Sequence, residues 1–280
     1  MNTSEGSALR RAVDRPRAGL RVVGEQVEFY LKAYAGIPVV VRRYLGEVLR
    51  QLTAISFGTG ALVLIGGSVV VVSILTASAG AIVGLQGYEA LNAVGTDALT
   101  GFLASYINIR LAAPLIGGVA LVSTIGAAFT AEIGAQRISE EIDAIEVMAV
   151  PAVPYLVTTR ILAGTIAIVP LYALALIACF ATTQLIVVLG YGQSVGTYDH
   201  YFSTFLVPTD VLTSVLQVTL IAFVVMSIHA FYGFTASGGP AGVGAAVGRA
   251  VRLSLIAVMV TALVTAVLLY ADPETLHLSR

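Results

Sequence analysis

The chain is 280 residues long, 58% hydrophobic and only 11% charged, with a net charge of −1 and a mean hydropathy of +0.92. A soluble globular domain carries about 25% charged residues, so this composition excludes one and points to a surface that meets lipid. The near-zero net charge leaves no global basic face for nucleic acid. A single cysteine, Cys179, rules out an intrachain disulfide and reads as a small packed hydrophobe.

Residues 1–20 are polar, basic and irregular, and are expected to form a cytoplasmic tail. Over 21–52 the residues Val23, Val27, Tyr30, Leu31, Tyr34, Ile37, Val41, Tyr44, Leu45 and Val48 recur at helical spacing. Arg21, Glu25, Glu28, Lys32, Arg42, Arg43, Glu47 and Arg50 fill much of the other side. This predicts an amphipathic helix, broken near Gly36-Ile37-Pro38. Its tyrosines and arginines suit the headgroup layer. The first apolar run opens only after Thr53, too late for a secretory leader.

Five apolar runs follow, at 54–83, 106–131, 157–189, 211–232 and 251–271. Each can cross a hydrocarbon core, which needs about 20 helical residues. The expected fold is therefore all-α and integral to a membrane: an N-terminal amphipathic interfacial helix, then a five-helix transmembrane domain over 53–271. The first span contains Gly58, Gly60, Gly66 and Gly67 and ends on Gly80-Ala-Ile-Val-Gly84, a spacing that lets helices approach closely. The third is longer than a bilayer requires and invites tilt, or a kink at Pro170. Residues 233–250 read as a flexible loop of small residues, and 272–280 as a short outer tail.

The basic residues orient the chain. Nine precede Gln51; with Arg137, Arg160, Arg249 and Arg252 they make thirteen of the fifteen. All fall in or beside 1–53, 132–156 and 233–252, whereas 84–105 and 190–210 hold none. The positive-inside rule then predicts a cytoplasmic N-terminus and an extracytoplasmic C-terminus.

The most informative segment begins at the inner end of the second span: Thr130-Ala-Glu-Ile-Gly134, Arg137, and an acidic stretch to Met148. Ser139 is placed to cap a helix over about 137–150, with Glu140 and Glu141 in its first turn, where the helix dipole favours them. Ile138, Ile142, Ile145 and Met148 make one apolar stripe; Glu140, Glu141, Asp143 and Glu146 occupy the rest. Pro151 ends the element. On physical grounds such a helix is either a solvated connector or a coupling helix, whose apolar stripe docks in a groove on a cytoplasmic motor while its carboxylates meet basic residues at the rim.

Thr130-Ala-Glu-Ile-Gly134 with Arg137, Glu140, Ile142-Asp-Ala144 and Glu146-Val-Met148 resembles the signature of the MlaE/YrbE permeases, the membrane subunits of ABC transporters that work with Mce-domain lipid-binding proteins. The resemblance extends over most of the chain, through Gly36-Ile37-Pro38, a Gly84-Leu-Gln-Gly87 turn after the first span, and the small-residue segment before the fifth. It implies a non-catalytic permease for lipids or fatty acids in the inner membrane. The implied partners are a cytoplasmic ABC ATPase dimer carrying ATP and Mg²⁺, extracytoplasmic Mce-domain proteins, and a second permease subunit, with a lipid cavity at the dimer interface lined by the first two spans. The implied ATPase-coupling residues are Glu132, Arg137, Glu140, Glu141, Ile142, Asp143, Ile145, Glu146 and Met148. Two positions depart from the family pattern. Arg110-Leu-Ala-Ala-Pro114 keeps an arginine but lacks the glutamate that usually follows it, and Ser123-Thr-Ile-Gly126 lacks the usual arginine. These departures suggest one half of a heterodimer, as in actinobacterial Mce systems with two unlike permeases.

Other chemistries find little support. A P-loop requires a lysine at the phosphates, and the only lysine, Lys32, lies on the amphipathic helix. The glycines from Gly233 to Gly248 have neither a preceding strand nor a following lysine. His200, His229 and His277 lack metal-ligand spacing. Ser237 with His229 is the one hydrolase arrangement, and no second motif supports it. A partner-free secondary transporter is the alternative from another class, but no internal repeat or mid-span carboxylate argues for it. Arg110, near hydrocarbon depth, is expected to anchor at the interface or to meet an anionic headgroup or a partner, and Tyr106 and Pro114 are further candidates for substrate or headgroup contact.

Overall fold

The computed structural model describes residues 24–57 and 61–270, and every element within them is helical. The tails at 1–20 and 272–280, and Gly58 and Gly60, lie outside the described residues. The interfacial segment forms three short helices: α1 (24–35), α2 (Ile37–Arg43) and α3 (Leu45–Phe57). Five long apolar helices follow: α4 (Ala61–Asn92), α5 (Asp97–Ile138), α7 (Val153–Gly190), α9 (Pro208–Phe234) and α10 (Gly239–Tyr270). Two short helices sit in the connections, α6 (Glu141–Val147) between α5 and α7, and α8 (Val195–Phe205) between α7 and α9.

The last four spans lie where hydropathy predicts, but their helices overrun it; the first is displaced, its helix running Ala61–Asn92 against the expected 54–83, while 54–57 belong to α3. At 1.5 Å per residue, the 42 residues of α5 and 38 of α7 reach roughly 60 Å, against about 30 Å of hydrocarbon. Apolar content marks only the part that lipid touches, while the helical hydrogen bonds continue into the polar layers. Two expected loops are therefore helix. Gly84-Leu-Gln-Gly87 lies inside α4, and the chain turns instead at 93–96, where Gly95 takes a left-handed φ of +72°. Likewise 239–250 is the first part of α10, and only the segment around Thr235–Gly238 is non-helical. Packing overrides the poor helix propensity of these glycines: Val243 seats against Gly134 of α5. The α-helical part of α7 continues through Pro170, and the irregular π turns lie at its two ends, Val153–Thr158 and Ile186–Gly190.

Helices α5, α7 and α9 form the centre, and α4 and α10 flank them with most of their apolar side chains facing outward. On α4 the buried positions Val72, Thr76, Gly80, Gly84 and Gly87 recur every three or four residues, forming a spine of mostly small residues. A Cβ on Gly80 would run into the Cys179 carbonyl of α7, so these two backbones touch. The Gly80–Gly84 spacing thus serves a contact within the chain. Polar groups join the same crossing: Thr183 Oγ1 lies 2.8 Å from the Gly80 carbonyl and accepts from Asn108 Nδ2 at 3.0 Å. Cys179 is fully buried there, as a packed hydrophobe.

The interfacial helices break at Gly36, as expected, and again at Tyr44. Their apolar residues divide into two faces. Phe29, Ala33, Val40 and Val48, with Tyr30, Tyr34 and Tyr44, pack on the bundle; Val27, Leu31, Val41 and Leu45 point away from it. Phe29 meets Phe231 edge-on at 5.4 Å, and the Tyr34 hydroxyl donates to Ser227 Oγ at 3.0 Å, fastening α1 to α9. Thr158 donates to the Ala33 carbonyl at 2.8 Å, capping the end of α1 from the start of α7.

Candidate coupling site and its opposite end

The Thr130–Gly134 run lies in the last turns of α5, and helical spacing divides its residues. Thr130, Ile133 and Gly134 face the bundle and are buried, while Glu132 faces out. Thr130 Oγ1 lies 2.7 Å from His229 Nδ1 of α9 and 3.1 Å from the His229 carbonyl. The motif's small and branched residues therefore pack the end of the span, and its carboxylate is left for ionic contact. Glu132 Oε2 approaches Arg160 Nη2 of α7 at 3.7 Å.

Helix α5 ends at Ser139, and Glu140 adopts a left-handed φ of +62° that reverses the chain into α6. An L-residue with a side chain takes that conformation only at a cost of about 1–2 kcal/mol. Ser139 is thus the terminus of α5, not the N-cap of the next helix; its hydroxyl donates to Glu141 Oε1 at 3.1 Å. The acidic helix is correspondingly shorter than 137–150. Arg137 belongs to α5 and Asp143 to α6, and they pair at 2.7 Å across the turn. Glu141 and Asp143 occupy the first turn.

The predicted apolar stripe of α6 is already partly used. Ile142 is fully buried in the chain's own core, with Ile145 packed against that core. The apolar groups left outward are Met148, 68% exposed, and Val147, 88% exposed. Ile142 and Ile145 therefore seat α6 on the bundle, while Val147 and Met148 stand beside the exposed carboxylates of Glu140, Glu141 and Glu146.

Arg110 lies at the opposite end of the bundle. It neither reaches out to solvent nor offers its charge freely. Nη2 and Nε donate to Asp210 Oδ2 at 2.7 and 3.1 Å, with the two side chains only 9% and 15% exposed. The guanidinium also sits over the rings of Tyr106 at 4.4 Å and Tyr270 at 4.8 Å, contacts that favour a cation. One arginine thus joins α5, the first turn of α9 and the last residue of α10. Of the other two candidate headgroup residues, Tyr106 lies against Arg110, whereas Pro114 is buried in the bundle. A mid-helix proline loses one hydrogen bond and crowds the carbonyl four residues back; here the wider π turn Asn108–Ala112 directly precedes it.

Sequence reasoning missed Asp210, the Arg160–Glu132 pair and Val147. For Asp210 a signal existed: it is the carboxylate that opens the fourth span, at the same membrane end as Arg110.

The family profile described as Permease MlaE matches residues 57–268. The chain belongs to the MlaE permease family. A protein of Rickettsia felis named probable ABC transporter permease protein is 27% identical over 229 residues, covering 78% of this chain and 82% of the relative. The Haemophilus influenzae intermembrane phospholipid transport system permease protein MlaE is 25% identical over 158 residues, 56% of each chain. In this MlaE-family permease the matched region takes in all five spans, the Thr130–Gly134 run and α6.

Proposed function

We propose that the chain is the non-catalytic membrane subunit of an ATP-driven transporter that moves lipids, with a separate ATPase docking on α6. The observation that carries this reading is the form of α6. It presents Val147 and Met148 outward among carboxylates, while Ile142 and the Arg137–Asp143 pair tie it to the bundle. A push on such a helix is delivered directly to the end of α5. The positive-inside pattern supports a cytoplasmic location for α6 and the N-terminus. Lipid would follow the uncovered faces of α4 and α5, where Ile74, Ile82, Leu111 and Ser123 are exposed, against a second permease subunit, unlike this one. The name of the Haemophilus relative supports phospholipid as the cargo class, and Mce-domain proteins are the expected extracytoplasmic partners.

The test is tagged purification from native membranes, comparing wild type with the double variant Val147→Asp, Met148→Asp. Both positions are exposed, so the variant should fold. Wild type should retain a P-loop ATPase and the variant should lose it, while other membrane partners stay bound. Purification of wild type without any ATPase, with lipid movement intact in the variant, would instead favour a partner-free transporter.

A further inference from the structure

Helix α8 is held close to the bundle. A Cβ on Gly101 of α5 would run into the Tyr198 carbonyl, and Tyr198 itself is 1% exposed. On α7, Ile177, Phe180, Ala181 and Gln184 recur at the spacing of one helical face. Between this face and Tyr198, Asp199 and Phe202 of α8 lies a groove of about 250 Å³. Its floor is apolar, with Phe180 and Phe202 edge-to-face at 5.0 Å. Its rim is polar: Gln184 Nε2 donates to Asp199 Oδ1 at 2.8 Å.

The groove's depth follows from its neighbours. Thr183, next to Gln184, accepts from Asn108, two residues before Arg110, whose partner Asp210 lies in the first turn of α9. The Gln184–Asp199 rim therefore lies near the membrane boundary. Ile177, two helical turns deeper, is exposed on the hydrocarbon side.

We propose that this groove binds one acyl chain of a membrane phospholipid whose headgroup bears a primary ammonium, the ammonium donating to Asp199. The volume falls short of the roughly 300–1,000 Å³ of a whole small-molecule site but suits a segment of one chain. Charge selects the headgroup. Among the described residues the carboxylates at this end are Glu89, Asp97, Asp199 and Asp210, and the one arginine, Arg110, already grips Asp210. A headgroup of net negative charge is repelled here, whereas an ammonium finds Asp199 exposed, with Oδ1 held in place by Gln184. The site lies on α7 and α8, apart from the α4 and α5 faces assigned to transport.

The full chain would be purified, delipidated and titrated with phosphatidylethanolamine, phosphatidylcholine or phosphatidylglycerol, with bound lipid counted by native mass spectrometry. Wild type should retain one phosphatidylethanolamine in preference to the other two. Asp199→Asn, a surface change that leaves an oxygen for Gln184, should reduce that preference about tenfold, the scale of one charge-assisted hydrogen bond. Ala181→Phe, which fills the groove, should abolish the preferential retention of phosphatidylethanolamine. Equal retention of the three lipids by wild type, a preference for phosphatidylglycerol, or unchanged phosphatidylethanolamine binding in Asp199→Asn would each overturn the proposal. So would a cysteine at position 181 that cross-links to a second protein in native membranes.

Discussion

The two ends of the bundle each carry an interhelical arginine–carboxylate pair, and the pairs are built differently. Arg110–Asp210 is closed: two nitrogens reach one carboxylate oxygen, both side chains are nearly buried, and two tyrosine rings cover the cation. Arg160–Glu132 is open. Its separation is 3.7 Å, Glu132 is 57% exposed, and Arg160 Nε is buried without an acceptor among the described residues. The Arg110 end is locked by interactions completed inside the chain. The Arg160 end keeps a carboxylate available to something outside, and α6, packed on the end of α5, adds the exposed Val147 and Met148. On the function proposed above, drive would enter at the open end while the closed end stays fixed.

The comparison breaks most visibly at Asp210. Asp210→Ala removes the carboxylate from a buried arginine, and breaking such a pair costs about 3–5 kcal/mol. The midpoint of thermal unfolding in detergent should fall sharply. Replacing both partners with apolar residues, as in Arg110→Met with Asp210→Leu, should recover most of the loss. If the single and double variants are equally destabilised, the charge pairing is not what holds α5 to α9.

Next in size is the α4–α7 crossing, also on the locked side. Gly80→Val drives a branched side chain into the Cys179 carbonyl and should cost about 1–3 kcal/mol as overpacking. Asn108→Ala removes the amide that reaches Thr183 and should cost less, about 0.6 kcal/mol on average for a hydrogen bond between membrane helices. Unfolding midpoints that rank these two in the opposite order would show that polar pairing, not close packing, sets the crossing.

At the open end, Glu132→Gln should barely move stability, within about 1 kcal/mol, because one partner is exposed and screened. Glu47, which also attracts Arg160, remains as a counter-charge. If Glu132 takes part in the proposed coupling, ATP-driven lipid movement should fall much further than stability does. A variant with normal transport would make Glu132 a solvated end group and leave the proposed coupling to rest on α6 alone.

How much of this could be read beforehand depends on range. Five spans were legible because lipid selects apolar residues one at a time, and the acidic helix because its motif is contiguous. The ends of the helices were not, since hydropathy reports solvent and not hydrogen bonding. For the partner of Arg110 the sequence offered only a shared membrane end: Asp210 lies 100 residues away, and the packing of α5 on α9 brings it within 2.7 Å. Helical periodicity grouped Ile142 with Met148 on one stripe. It could not show that the left-handed turn at Glu140 points the first part of that stripe inward and leaves the last part exposed.

The smallest expected effect sharpens the comparison through pH. Glu47 of α3 is partly desolvated, which favours its neutral form. Hydrogen bonds from Arg50, at 2.8 and 2.9 Å, and from Gln51, with the charges of Arg50 and Arg160, outweigh that and hold its pKa below the ordinary glutamate value. A carboxylate whose folded pKa is depressed contributes stability above its unfolded pKa, near 4.3, and loses it as pH falls through the lower folded value. Acidification below about pH 4 should therefore loosen α3 by about 0.2–0.5 kcal/mol, the scale of a near-neighbour helical pair. Hydrogen exchange of α3 amides as a function of pH would read this, and Glu47→Gln should flatten the profile. Because Glu47 also faces Arg160, the same variant should make the Arg160 end more sensitive to Glu132→Gln, so that the two changes together cost more than their sum. Simple additivity would mean that α3 only rests against the open end and takes no part in holding its arginine.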